Sequence, residues 1–310
     1  MTSSPQFIEL TKQAPTGKVS AKISTAGGAL KELAVNGIDI VPPTSGHQMN
    51  HYGDGIVLAP WANRIDHGRW VHNGETLQLE VNEKDLDNAL HGLVGSAVFE
   101  ISAQSESAVT LETIVKPSAG YPFELLISVS YELTNSGIKT THTAKNIGVE
   151  SAPYMVGTHP YFQIAGTATE DLEFKTDAQS VDLVDERKIP IGKLSIKGTE
   201  FDLTNWRKLS DCNFDHGFGE LVRDQHGLGH HYLRSPKGEL LDIWQSAEMK
   251  YTFIFTADFY INNDDQTPRH AIAIEPQTAP ANAFNSKEDL IWLEPNQTHT
   301  ASWGAELTQA

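Results

Sequence analysis

Cysteine is almost missing. Cys212 is the only one in 310 residues, which excludes an intrachain disulfide framework and any metal site built from several thiolates. A reducing compartment is the expectation, with Cys212 a small core or surface thiol. Basic residues are scarce beside acidic ones, 23 against 40, for a formal net charge of −17. That balance argues against nucleic acid or an anionic membrane surface as partner and favours a neutral ligand. It also favours a self-repelling chain, monomeric or at most a weak homodimer. No stretch approaches the roughly 20 apolar residues of a membrane span. Met1-Thr2-Ser3-Ser4-Pro5-Gln6 has neither a basic n-region nor an apolar h-region, so the expected location is cytoplasmic.

Amphipathic helical patterns of three or more turns are lacking too; minor helical pieces are expected near Trp206 to Leu209. What recurs instead is short alternating or β-branched runs: Lys18 to Ser24, Val98 to Ala103, Val109 to Val115, Leu240 to Trp244, Tyr251 to Thr256 and Ala271 to Glu275. Turn-forming residues lie between them. Phe123 to Lys145 reads as a hairpin closed by Asn135-Ser136-Gly137. No fixed-period repeat, low-complexity tract or compositional break divides the chain. The expectation is one large antiparallel β domain over residues 1–310, an all-β sandwich, with Thr167 to Glu170 and Asp185 to Lys197 as excursions that could carry a site.

Familiar chemical motifs are absent: no phosphate-cradling glycine loop, no nucleophile elbow, no chelating histidine spacing. His230-His231 would point to opposite faces of a strand, and Asp264-Asp265 lacks the alternating oxygen ligands of a calcium loop. No metal or cofactor is demanded. Chemistry has to come from polar groups at the edges of strand-like runs. Glu275 ends the run Ala271-Ile272-Ala273-Ile274, where an ionised carboxylate is costly unless paired and its pKa is open to tuning. Asn63-Arg64, His91, His159 and Asp215 share that character. Each has a structural alternative: Arg64 paired to Asp66, His91 in a turn, His159 in the core, Asp215 as a turn or cap residue, Glu275 as an ion-pair partner.

In order along the chain, Ala62-Asn63-Arg64-Ile65, Leu90-His91-Gly92, Gly157-Thr158-His159-Pro160-Tyr161-Phe162, Phe214-Asp215-His216-Gly217-Phe218 and Ile274-Glu275-Pro276-Gln277, followed by Asn282-Ala283-Phe284-Asn285, resemble the aldose 1-epimerase (galactose mutarotase) family. The resemblance covers nearly the whole chain. It implies a large β-sandwich of the galactose mutarotase type with a sugar cleft on one sheet, and no cofactor. It further implies interconversion of the α and β anomers of a free aldose of the glucose or galactose type, Glu275 as general base and His159 as general acid. Arg64, His91, Asp215 and Asn63 match positions that hold the sugar. Ala59-Pro60-Trp61 departs from the glycine-rich, arginine-containing lead-in of many galactose mutarotases, and Trp61 is expected to line the mouth and bear on which sugar fits. The alternatives are a hexose-6-phosphate mutarotase, which needs a basic phosphate pocket, and a non-catalytic sugar-binding module, which needs no acid–base pair. A glycosidase would need two carboxylates across the bond.

Overall fold

A computed structural model of the chain describes residues 4–44, 53–261 and 267–309; Asp264-Asp265 lie outside the described residues. Two large antiparallel sheets carry the architecture. One runs, edge to edge, Glu100–Gln104, Ala108–Val115, Leu125–Leu133, Gly137–Asn146, Thr298–Gln309, Glu239–Gln245, Gly229–Arg234, Glu173–Thr176 and Arg207–Lys208. The other runs Pro190–Ser195, Ser180–Val184, Asp215–Gly219, Tyr251–Ile261, Pro268–Gln277, Gly157–Thr158 and Val57–Leu58, with Tyr161–Phe162 also on the Pro268–Gln277 strand. A smaller sheet, Phe7–Ala14 to Ile38–Val41, adds four strands. The first two sheets face each other across a shared core: Trp303 of one meets the Phe162 ring of the other edge-on at 6.4 Å. One apolar cluster runs through all three sheets. The all-β sandwich is the observed fold.

The expected hairpin is present, with Leu133 opposite Ile138 and the turn at Thr134 to Ser136. Two local expectations need correction. Trp206 to Lys208 is not helical: Arg207–Lys208 is an edge strand, and the only helical turn nearby is 3-10 at Leu209–Asp211. Arg207 and Lys208 take their backbone partners from Glu173–Thr176, which overrides local propensity. The Asp185 to Lys197 excursion is half strand, because Pro190–Ser195 pairs along Ser180–Val184, with most of its side chains exposed. The one α-helix among the described residues is Ala283–Ser286, bounded by Asn282 and Lys287 in the left-handed region.

Alternation decides where a site can lie. Along Pro268–Gln277, Ile272 and Ile274 enter the core between the sheets, while Ala271 and Ala273 belong to a separate small cluster with Tyr161, Ala257 and Tyr260 on the other face. Period two puts Glu275 on that outer face as well. The same holds next door: Ile254 is in the main core, whereas Phe253 and Phe255, paired with Glu275 and Ala273, point outward with them. The all-apolar look of Ala271 to Ile274 therefore has two causes, a core on one side and an aromatic layer on the other.

Trp303 sits fully buried on the central strand of the nine-stranded sheet, its indole N–H donating to His142 Nε2 at 3.1 Å. Burial lowers His142 to about 3, leaving a neutral imidazole to accept that bond. Trp303→Ala is expected to remove about 3–5 kcal/mol of stability, read from the urea unfolding midpoint; an unchanged midpoint would show that this contact does not hold the sheets together.

Candidate active site

The opposition of His159 and Glu275 follows from register. Gly157 pairs with Gln277 and Tyr161 with Ala273, so the residue midway between Gly157 and Tyr161 falls opposite the residue midway between Ala273 and Gln277. Those residues are His159 and Glu275, and His159 Nε2 lies 3.3 Å from Glu275 Oε1. Pro160 has no N–H to give and breaks the strand between them, which frees the imidazole to turn onto the outer face. Its main chain is pinned on both sides: His159 N–H donates to the Ile56 carbonyl at 3.2 Å, and Gly55 N–H donates to the His159 carbonyl at 2.8 Å. Gly55 has to be glycine, with φ of 71° and a Cβ position 2.0 Å from the Leu30 oxygen. On Glu275, the Gln277 amide donates to Oε2 at 3.3 Å.

Arg64 and His91 arrive together. Arg64 pairs with Leu90 across two short strands, Arg64–Asp66 and Asn88–Leu90, and the pair is closed by two left-handed residues, Asn63 and His91, joined by His91 N–H to the Asn63 carbonyl at 3.0 Å. Gly92 allows the chain to pass Ala59, whose oxygen would lie 2.2 Å from a Cβ there. The His91 ring then meets His159 edge-on at 5.3 Å. The Asn63 side-chain oxygen accepts from Arg64 N–H at 2.9 Å, so Asn63 lines the cleft but spends its oxygen on shaping the turn. Behind this pair, Asn282 N–H donates to the Arg64 carbonyl, and the following Phe284 packs edge-on against Trp61 at 5.9 Å. Trp61 is 2% exposed: it is an inner wall of the cleft rather than a rim.

Arg64 does not pair with Asp66. Its guanidinium is gripped by Glu83, with Nε at 3.1 and 3.0 Å from the two carboxylate oxygens and Nη2 at 2.9 Å from one of them, and Nη1 reaches Asp215 Oδ1 at 3.4 Å. Asp66 instead meets Arg187. Asp215 is a strand residue, opposite Phe255, and its other oxygen lies 3.3 Å from Lys188 Nζ. The circuit closes through Asn88, whose amide donates to Glu83 at 3.0 Å and to the Arg187 carbonyl at 2.9 Å. Glu83 and Lys188 went unnoticed in the sequence. Lys188 lies in the charged excursion already marked as able to carry a site; Glu83 sits in an ordinary polar stretch with no signal of its own.

Glu275, His159, His91, Arg64, Asn63 and Asp215 all line one cleft of about 630 Å³, so the structure brings together every site residue expected from the sequence. Burial pushes the Glu275 carboxyl well above its ordinary value, and the Asp215 charge adds to the effect. Burial lowers His159 to about 4. His91 is pushed well down by burial, then by His159 and Arg64, leaving a neutral ring suited to hydrogen bonding. Among the described residues no group of three or more His, Cys, Asp or Glu side chains is placed to hold a metal ion, and no helix is long and apolar enough to cross a membrane.

Fold and cleft together define a galactose mutarotase-like β-sandwich. The chain belongs to the aldose 1-epimerase family of isomerases, whose model matches residues 9–304. It is similar to the uncharacterised protein YihR of Escherichia coli K12, 31% identical over 284 residues that span 91% of this chain and 88% of that one. It is also similar to galactose mutarotase of Rattus norvegicus, 31% identical over 180 residues that span 53% of this chain and 51% of that one. Among solved structures, a GalM/aldose epimerase homologue from C. elegans superposes with a TM-score of 0.87 at 19% identity, covering 99% of this chain and 100% of that one; at that identity the likeness concerns the fold.

Glu83→Gln removes the charge-assisted grip on a guanidinium that is 10% exposed. It is expected to lower stability by about 1.5–3 kcal/mol, measured by urea titration. Unfolding at the wild-type midpoint would show that Asp215 alone suffices to hold Arg64.

Proposed function

We propose that this protein interconverts the α and β anomers of a free, neutral aldose, with Glu275 and His159 moving the protons. The observation that carries this reading is the contact between a buried carboxyl and a buried imidazole, because anomerisation needs one group to give a proton while the other takes one. Glu275 as carboxylate takes the proton of the C1 hydroxyl. His159 as imidazolium gives a proton to the ring oxygen, the bond between C1 and the ring oxygen breaks, and the aldehyde forms. Rotation about the C1–C2 bond offers the other carbonyl face, and the same two transfers run backwards on closure. Arg64 donates to hydroxyl oxygens, since its guanidinium stays charged; His91, Asp215 and Asn63 complete the hold on the ring.

Burial has a role in this cycle. At the open-chain stage Glu275 is a neutral acid and His159 a neutral imidazole, and that is the state favoured by a carboxyl pushed up and an imidazole pushed down. The desolvated site thus opposes the ion pair that accompanies the closed ring and favours opening. In the empty site the neutral pair reaches the reactive arrangement when one proton crosses the 3.3 Å contact from Glu275 to His159, and ring closure regenerates that ionised pair by itself.

The charges around the cleft bear on the substrate. Arg64 is the only Lys or Arg among the described lining residues, and it is already held by Glu83 and Asp215. Glu80 stands exposed at the edge. A phosphorylated sugar would bring two negative charges to an acidic lining, which supports the free sugar over a hexose 6-phosphate. A purely sugar-binding role leaves the buried acid–base pair without a task.

Glu275→Gln keeps the shape of the side chain and His159→Asn removes the ring nitrogen that faces it; each is expected to lose about 10²- to 10⁴-fold in rate with little change in thermal midpoint. Polarimetric decay of α-glucose or α-galactose, corrected for the spontaneous reaction, checks this. Near-normal rates in either variant would remove that residue from the reaction, and saturable binding with no acceleration in the wild type would leave a binding module. With glucose 6-phosphate the rate is expected to fall well below that with glucose.

The pH profile tests the shared proton. Below about pH 4 His159 gains a second proton and no base remains; above the raised value of Glu275 the last proton leaves and no acid remains. The kcat/KM profile is therefore expected to be bell-shaped, with its acid limb near pH 4 rather than near the ordinary imidazole value of about 6.5. A limb centred near 6.5 would contradict a buried, shared proton.

A further inference from the structure

A single hairpin turn touches two separate parts of the frame around the cleft. Residues 185–189 join Ser180–Val184 to Pro190–Ser195. Asp185 closes the turn from within, its carbonyl accepting from Lys188 N–H at 3.0 Å and its Oδ1 from Arg187 and Ile189 N–H at 2.9 Å each. From this small ring two cations leave in different directions. Arg187 bonds Asp66 and reaches the Asn88 side-chain oxygen at 3.1 Å, while its carbonyl accepts from the Asn88 amide at 2.9 Å. Asp66 and Asn88 are paired with each other at one end of Arg64–Asp66 and Asn88–Leu90, the two strands that carry Arg64 and lead into His91. Lys188 goes instead to Asp215 Oδ2 at 3.3 Å, on a strand of the sheet that carries Glu275.

Lysine is an unfavourable residue for its place in that turn. Lys188 has φ of 63°, in the left-handed region where a side chain is disfavoured and glycine sits freely. Backbone strain of this kind points to a use for the side chain that bears it. Asp215 supplies the use. Arg64 Nη1 lies 3.4 Å from its Oδ1 and Lys188 Nζ 3.3 Å from its Oδ2, so each carboxylate oxygen is held from one side by a different cation.

Resting on the mutarotase reading of the site, we propose that Lys188 is a positioning residue: it fixes the Asp215 carboxylate that holds the sugar ring and, with Arg187, clasps the Arg64 strand to the Asp215 strand. It touches no reacting atom. Its charge also offsets that of Asp215, which raises both Glu275 and His159. The other ionisable groups near Asp215 are Arg64, Glu275 and His159 in the cleft, His216 beside it, and Asp182 over Gly217. Of these only Arg64 is a fixed cation. Without Lys188 the less compensated charge of Asp215 favours the protonated forms of His159 and Glu275, so both titrate at higher pH.

The test measures polarimetric kcat and KM for glucose and galactose, and the pH profile of kcat/KM, in the wild type, Lys188→Gly, Lys188→Met and Lys188→Arg. Glycine suits the left-handed turn, so Lys188→Gly is expected to keep or raise the thermal midpoint. Lys188→Gly and Lys188→Met are nevertheless expected to raise KM about fivefold, near the upper limit for a partly exposed ion pair, with kcat little changed. In both, the acid limb is expected to move upward from about pH 4, and Lys188→Arg is expected to keep KM and the limb near their wild-type values. A Lys188→Gly protein of wild-type midpoint whose KM and acid limb are unchanged would reduce Lys188 to a turn residue and overturn the proposal. So would a loss in Lys188→Arg equal to that in Lys188→Met. Either result leaves mutarotation standing, whereas a wild type that accelerates no aldose would remove the mutarotase reading and this proposal with it.

Discussion

The pairing of Pro268–Gln277 with a partner strand interrupted at Pro160 sets the distance between the two groups that handle protons. Gly157 against Gln277 on one side of the interruption and Tyr161 against Ala273 on the other leave His159 no position but the one facing Glu275. Much of the surrounding structure exists to keep that geometry. Ile272 and Ile274 lock the strand's other face into the core, and a slip of one residue would exchange those isoleucines with Glu275. The cost of burying a carboxylate in a core thus protects the site's own register. The loop at Gly53 to Ile56 performs the same service for the imidazole, through backbone hydrogen bonds on both sides of it.

Around this pair lies a second kind of order. Glu83, Arg64, Asp215 and Lys188 alternate in charge, and Asn88 and Arg187 tie the ends together. Such networks add little net stability, because desolvation offsets attraction. Their value here is geometric. A guanidinium held at two carboxylates has few rotamers left, so its remaining donors face a fixed point in the cleft. Residues 185–189, capped by Asp185 on the N–H groups of Arg187 and Ile189, bring Lys188 to Asp215 from outside the strands that carry Arg64 and Asp215.

Much of this was legible beforehand, for identifiable reasons. The fold class showed itself because period two and turn residues are local properties, as in the hairpin from Leu125–Leu133 to Gly137–Asn146. Glu275, His159, His91, Arg64 and Asp215 stood out because each is a polar group beside apolar or small residues. Their convergence did not show, because it depends on pairing between segments far apart in the chain. Glu83 was invisible for the opposite reason: a carboxylate in a polar stretch carries no local contradiction, and its role arises only where Arg64 meets it. The edge strands Arg207–Lys208 and Pro190–Ser195 were missed because short, largely exposed stretches become strands when a neighbour supplies the ladder.

The opposition of His159 and Glu275 also joins chain segments separated by more than a hundred positions. Contacts of that span form only after the loop between them has closed, and they are the slow ones in a folding chain. During synthesis, a chain that has not yet reached Glu275 contains the imidazole but has no carboxylate to set opposite it. Catalytic competence in this molecule is therefore a late property of folding, and turnover reports that the two halves of the sheet have closed in the correct register.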